Sequence, residues 1–328
     1  MNPASSATNS NLSALPNLAS LQPVPANHLE RIIAGLQALK AAGGDITAEL
    51  QQLGLTVLPL LDKKVLVTGS ARVSYPQSLE QRTLFGIGDA VAEAMVQNGA
   101  SVLVNSFSDQ MDADRLAVLK GQAVKGQTCD YLKGDMSSWD GAKQLIREAH
   151  AKLGGLDVLV LNAGTYVEQG FLGLTEADYD RTMDLNHKGV VAAIQEYVKI
   201  IGKEQPGKII ITSSINAQKG EPAHVAYDAS KAALEASMRS IVLDLAQSGY
   251  TNILINAVAP GLIFTPLTYD AIVSNPAELL RLNAAIPHKI GWPHDLVHHY
   301  VHLASAGNPY MTGAVLDVSG GLATRQAT

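Results

Sequence analysis

Three side chains in the second half of this sequence are of the right types and spacing to pass a proton between them. Ser214 stands thirteen residues before Tyr227, and Lys231 follows Tyr227 by four. Positions four apart on a helix share a face, so the Lys231 ammonium falls beside the Tyr227 phenol. An unperturbed tyrosine titrates near pH 10, far above neutrality. The adjacent cation is expected to stabilise the phenolate and lower that value, so that the phenol can give a proton or take one back. The Ser214 hydroxyl is placed to hold the oxygen that receives it.

A second set of residues suits a polyanion. Thr68-Gly69-Ser70 and Gly86-Ile87-Gly88 bracket a glycine turn that opens a helix. Glycine lets the backbone turn sharply, and the helix N-terminus offers free amides to a pyrophosphate. A glycine turn alone is weak evidence, but Asn162-Ala163-Gly164, Asp135 and Pro260-Gly261 also sit at strand ends. His294, His298 and His302, spaced by four, are the residue type that grips metal. Leu296, Val297, Tyr300 and Val301 occupy another side of the same stretch, so the histidines are expected to face solvent or a subunit neighbour and no metal is expected.

The elements that must position these groups are legible in the texture of the chain. Short apolar runs at Val65 to Thr68, Val102 to Asn105, Thr128 to Leu132, Val158 to Leu161, Ile209 to Thr212, Ile253 to Ala257 and Ala314 to Val318 read as strands. Amphipathic stretches such as Asp89 to Gln97, Trp139 to Leu153 and Val225 to Gln247 read as the helices between them. Strands alternating with helices make a Rossmann-type α/β fold: a doubly wound parallel sheet of about seven strands with helices on both faces, binding ligands beyond the strands' carboxyl ends. Residues 1–26 read as a flexible tail, 27–61 as a helical appendage with Leu29, Ile32, Ile33, Leu36 and Leu39 at helical spacing, and 62–324 as the dinucleotide-binding catalytic domain.

Composition narrows the possibilities. A net charge of -6 and no basic run argue against nucleic acid. Cys129 is the only cysteine, so no intrachain disulfide forms and a reducing compartment fits. The first 25 residues carry no Lys or Arg, and no apolar run approaches the ~20 residues of a membrane span. A cytoplasmic location, with no membrane partner, is the expectation.

Together these motifs resemble the short-chain dehydrogenase/reductase family over about residues 62 to 324, and the chain is similar to the 3-oxoacyl-carrier-protein reductases. The stretches Ile286-Pro287, Pro293-His294-Asp295, Thr312-Gly313 and Ser319-Gly320-Gly321 join the resemblance. It implies that Asn186, Ser214, Tyr227 and Lys231 are catalytic, with Asn186 helping a water connect the lysine to solvent. It further implies nucleotide contacts from Gly69, Ser70, Arg72, Gly86, Ile87, Gly88, Ser106, Asp135, Met136, Asn162, Ala163, Gly164, Tyr227, Lys231, Pro260, Gly261, Ile263 and Thr265. One departure is plain. Sixteen residues, 70 to 85, separate the first two loop glycines where the family has three, an insertion of thirteen placed at Val73 to Phe85. Partial order of this insertion over the cofactor is expected.

Cofactor choice turns on charge at the end of the second strand. NAD binders place an acid there for the ribose hydroxyls, and an acid repels a 2'-phosphate. Here the strand runs Val104-Asn105-Ser106-Phe107-Ser108 with Arg72 or Arg82 nearby, so NADP(H) is expected ahead of NAD(H). The resemblance then implies reduction of a carbonyl, a 3-oxoacyl thioester or another ketone, in a homotetramer or homodimer. Enoyl reductases of the superfamily space Tyr and Lys more widely, which favours a carbonyl over an alkene. Two other readings stand: an NAD-dependent alcohol, sugar or steroid dehydrogenase, and a non-catalytic nucleotide-sensing scaffold, against which the presence of both Tyr227 and Lys231 weighs.

Overall fold

The computed structural model describes residues 58–71, 85–108, 111–269 and 276–324. Tail and appendage up to residue 57, Arg72, Arg82 and the insertion apart from Phe85 lie outside the described residues.

Seven strands form one parallel sheet: β1 (Lys64–Val67), β2 (Ser101–Ser106), β3 (Cys129–Lys133), β4 (Val158–Leu161), β5 (Gly207–Thr212), β6 (Ile253–Pro260) and β7 (Val315–Val318). Their order is β3-β2-β1-β4-β5-β6-β7. Each lies within a few residues of its sequence expectation, β4 on it. β6 runs further than expected, so that Pro260 ends the strand, opposite Val318 of β7, rather than following it.

Alternating side chains of one strand point to opposite faces, and both faces here are apolar. Val65 and Val67 join one core with Val102, Val104, Val158 and Val160, while Leu66, Leu103, Leu159 and Leu161 join the other. A sheet buried on both sides must be covered on both sides. α1 (Ile87–Gln97), α2 (Ala113–Gln122) and α8 (Val297–Ala304) contribute to the first core. α3 (Trp139–Leu153), α5 (Gly189–Ile201) and α6 (Val225–Gln247) contribute to the second. α4 (Glu176–Met183) and α7 (Pro276–Ala285) complete the helices of the described residues. Leu60, ahead of β1, is also buried in the first core.

From β1 the chain winds outward through β2 and β3, then returns so that β4 lies on the other side of β1, Val65 opposite Val158. The loops leaving β1 and β4 therefore diverge and open a crevice at the carboxyl end of the sheet, the position at which doubly wound sheets take ligands.

Candidate active site

The crevice is built on bonds between β1 and β4. The Thr68 hydroxyl oxygen accepts the backbone N–H groups of Asn162 at 3.0 Å and Ala163 at 3.1 Å. Asn162 returns the connection, donating its amide to the carbonyls of Thr68 and Gly69 at 3.2 Å each. Asn162 also accepts from the Thr212 hydroxyl at 3.2 Å, tying in β5. The side chain is a clamp on the glycine loop as well as a wall of the cleft.

Two glycines are required by the clamp. Gly69 has φ +61, and a Cβ there would lie 2.7 Å from the Ala163 Cα. A Cβ on Gly88 would lie 2.6 Å from the Gly69 carbonyl oxygen and closer still to the Asn162 amide nitrogen. Gly86 precedes α1 with no side-chain cap, and the first-turn amides of a helix point out of its N-terminus toward the cleft side of the loop, as a phosphate would require.

The cleft so formed measures about 580 Å³ and is lined by Gly69, Ser70, Gly86, Ile87, Ser106, Asp135, Met136, Asn162, Ala163, Gly164, Ser214, Tyr227, Lys231, Pro260, Gly261, Ile263 and Thr265. That volume suits a cofactor-sized ligand. Of the expected cofactor residues that are described, Gly88 is the one behind the wall, and Arg72 falls outside the described residues. The Ser70 hydroxyl is used internally, accepting the Asn105 N–H at 3.0 Å and donating to the Val67 carbonyl. Ser106 accepts the Ser108 N–H at 3.1 Å at the cleft rim. Beside the loop, Arg115 of α2 is held by Asp89 at 3.0 Å and Glu93 at 2.9 Å, with its guanidinium 4.6 Å over the Phe85 ring.

At the other end of the cleft, Ser214 leaves β5 and begins a short turn, its hydroxyl accepting the Asn216 N–H at 3.2 Å. Tyr227 and Lys231 rise from the first turns of α6 on one face, with the Lys231 Nζ 5.6 Å from the Tyr227 ring centre. Lys231 is buried and donates to the Thr212 carbonyl at 2.8 Å. Asn216 bonds Asp228 at 2.9 Å, fixing the Ser214 turn against the start of α6.

Asn186 lies in a π-turn, Asp184–Lys188, just ahead of α5. It is fully buried, accepts the Thr165 N–H at 2.8 Å, and donates to the Thr165 carbonyl at 2.8 Å and the Ser230 hydroxyl at 3.0 Å. Ser230 in turn donates to the Tyr227 carbonyl at 2.7 Å. Asn186 thus joins the loop after β4 to the helix that carries Tyr227 and Lys231.

The charge states differ from expectation. Burial pushes the Tyr227 phenol up to about 12, with the Ser214 hydrogen bond pulling the other way. Burial pushes Lys231 down to about 8, against the pull of Glu235. The expected lowering of Tyr227 is therefore corrected: desolvation sets the direction, and the Lys231 ammonium is tied to the Thr212 carbonyl instead of the phenol oxygen. In the protein by itself the phenol is a held proton.

Several contributors escaped the sequence reading. Thr212 was read only as the end of a strand, yet it meets Lys231, Asn162 and the Tyr300 hydroxyl, the last at 2.8 Å. Tyr166 stacks on His224 with ring centres 5.4 Å apart, and each meets Tyr227 edge-on. Tyr166 lies on the loop after β4, and no spacing rule joins it to His224 and Tyr227 at the start of α6. His294, His298 and His302 are all exposed, while Leu296, Val297 and Tyr300 are buried, in agreement with their expected faces. No helix of the described residues is long and apolar enough to cross a membrane.

Comparison with known proteins gives this geometry a family. Residues 83–323 match a family model described as enoyl-(acyl carrier protein) reductase. Glucose 1-dehydrogenase of Gluconobacter oxydans is 32% identical over 79% of this chain and 91% of its own length. A 3-oxoacyl-(acyl-carrier-protein) reductase of Staphylococcus aureus is 30% identical over 80% of this chain and 98% of its own. The solved 3-oxoacyl-(acyl-carrier-protein) reductase of Agrobacterium tumefaciens with NADP bound superposes with a TM-score of 0.70 at 26% identity, covering 80% of this chain and 95% of that one. With a doubly wound sheet, a glycine-loop cleft at its switch point and Ser214, Tyr227 and Lys231 gathered at one end of that cleft, the chain belongs to the short-chain dehydrogenase/reductase family of oxidoreductases, which use a nicotinamide cofactor.

Proposed function

We propose that the protein reduces a ketone, a 3-oxoacyl thioester or another carbonyl compound, to an alcohol with NADPH. The observation that carries this reading is geometric: Tyr227 and Ser214 line one end of the cleft with the buried Lys231 Nζ 5.6 Å from the Tyr227 ring centre, and burial, which raises the phenol, keeps its proton in place at neutral pH. NADPH, when bound, supplies the hydride that adds to the carbonyl carbon. Ser214 orients the carbonyl oxygen toward Tyr227, which gives up its proton as negative charge develops on that oxygen. Lys231 then lies under the phenolate and stabilises it. Asn186 holds α6 in place through Thr165 and Ser230. The nucleotide would lie along Gly69, the amides of α1 and the Asn162–Gly164 loop, with its adenosine end toward Ser106 and Asp135. Absence of an acid at the end of β2 favours NADPH. The Tyr–Lys spacing of four favours carbonyl over enoyl reduction, notwithstanding the description carried by the family model.

The test is a panel of ketones and alcohols with NADPH and NADH, run on the wild type and Tyr227→Phe. The variant should lose about two to four orders of magnitude in turnover with nucleotide binding largely kept. Near-normal turnover in it would end the proposal. We further propose self-association through α6, which leaves Leu243 64% exposed. Sedimentation as a monomer at micromolar concentration would contradict that.

A further inference from the structure

Behind the proposed catalytic groups lies a second buried ionisable residue that the proposed mechanism does not use. Glu235 follows Lys231 by four on α6 and is only 4% exposed. It accepts a hydrogen bond from the Ser213 hydroxyl at 2.7 Å, and Ser213 is itself buried. Ser213 stands between Thr212, whose carbonyl receives the Lys231 ammonium, and Ser214, which meets the Tyr227 phenol. A carboxylate is acceptor-only, so its hydrogen bond to a hydroxyl sets the direction of that bond. A buried carboxylate also costs several kcal/mol unless a cation compensates it. The cations available are Lys231, one turn back, and Arg239, 3.9 Å away and 56% exposed at its side chain.

We propose, on the catalytic reading above, that Glu235 is a positioning residue: through Ser213 it fixes the Thr212–Ser214 segment to helix α6, and, anchored on the residue next to the one that holds Lys231, its carboxylate is the counter-charge of that ammonium. The other charged and titratable groups around α6 do not replace it. Asp228 and Glu221 act on Tyr227; both carboxylates accept from the Asn216 amide, and Asp228 also accepts the Glu221 backbone N–H. His187, from the π-turn, bonds Ser237 and is pushed down by burial.

Lys231 is pushed down to about 8 by burial and held up by Glu235. Its folded value lies below the unfolded one, so the unfolded chain binds more protons between the two, and folding stability rises with pH from about 8 toward about 10.4. Neutralising the acid lowers the folded value further, and the rise begins sooner.

The test uses the full chain as wild type, Glu235→Gln, Ser213→Ala and each in a Lys231→Met background, with melting temperature followed from pH 6 to 10. Glu235→Gln keeps an acceptor for Ser213 and removes the charge. It should move the onset of the alkaline rise down by about one pH unit, an effect that vanishes in Lys231→Met. In turnover, its alkaline limb of kcat/KM should move by the same amount, a loss of about fivefold at pH 8 and about twofold at pH 7. Ser213→Ala should leave both limbs in place and lower kcat about tenfold, with KM within about threefold. An unchanged onset in Glu235→Gln, or the same shift persisting in Lys231→Met, overturns the proposal. The melting curves decide this even if no carbonyl is turned over, an outcome that would instead count against the catalytic reading.

Discussion

Two glycines of the same loop, Gly86 and Gly88, look alike in the sequence, yet only Gly88 should suffer from substitution by alanine. Gly88→Ala places a methyl group 2.6 Å from the Gly69 carbonyl oxygen and against the Asn162 amide. Neither neighbour is a free side-chain end. The carbonyl belongs to a loop whose turn depends on φ +61 at Gly69, and the amide is committed to Thr68 and Gly69 at 3.2 Å. Helix α1 must therefore move away from β4 by several tenths of an ångström, an overpacking cost of about 1–3 kcal/mol with the clamp weakened as well. Against this stands the helix preference of alanine over glycine, at most about 1 kcal/mol. The steric cost wins, and the melting temperature should fall by roughly 2–6 °C. NADPH affinity, read by fluorescence titration, should weaken at least about tenfold because the moved amides line the proposed phosphate site. A Cβ on Gly86 meets nothing within 4 Å among the described residues, so Gly86→Ala should melt within about 1 °C of wild type. A Gly88→Ala protein with unchanged melting temperature and NADPH affinity would refute the clamp.

Two further outcomes follow from charge. Ser106→Asp adds an acid at the cleft rim and should erase or reverse the preference for NADPH over NADH in paired titrations. A wild type that favours NADH would make the cofactor assignment wrong. Arg115→Ala withdraws the cation shared by buried Asp89 and partly buried Glu93, and should cost about 3 kcal/mol, read by urea unfolding. Burial opposes ionisation of Glu93, but the Arg115 hydrogen bond overcomes it and holds the carboxyl below its ordinary range. Because the folded value is the lower one, this stabilisation is present above the unfolded value and lost as pH falls through the folded one. That acid-side loss should shrink in Arg115→Ala, and an unchanged unfolding midpoint would show that the triad contributes nothing.

What the sequence determined by itself is the part of the protein governed by local repetition. Strands such as Val158 to Leu161 and helices such as Trp139 to Leu153 and Val225 to Gln247 are periodic patterns read over a few residues, and they occupy those bounds in the fold. Tyr227 and Lys231 share a face for the same reason, since one helix sets their relation. That the sheet is parallel and doubly wound also follows from the alternation of elements, but the order with β4 returning beside β1 is given by the structure. The tertiary structure decided whatever depends on distance across the chain. Thr212 becomes the partner of Lys231, Asn162 and Tyr300 only when β5, β4, α6 and α8 meet, with the Tyr300 partner 88 residues away in sequence. Burial decided the direction of titration at Tyr227, and the neighbouring cation is committed to Thr212. Spacing places a charge beside a phenol, but the surrounding dielectric decides whether that charge or the loss of water dominates, and that depends on the packing of every element around the site.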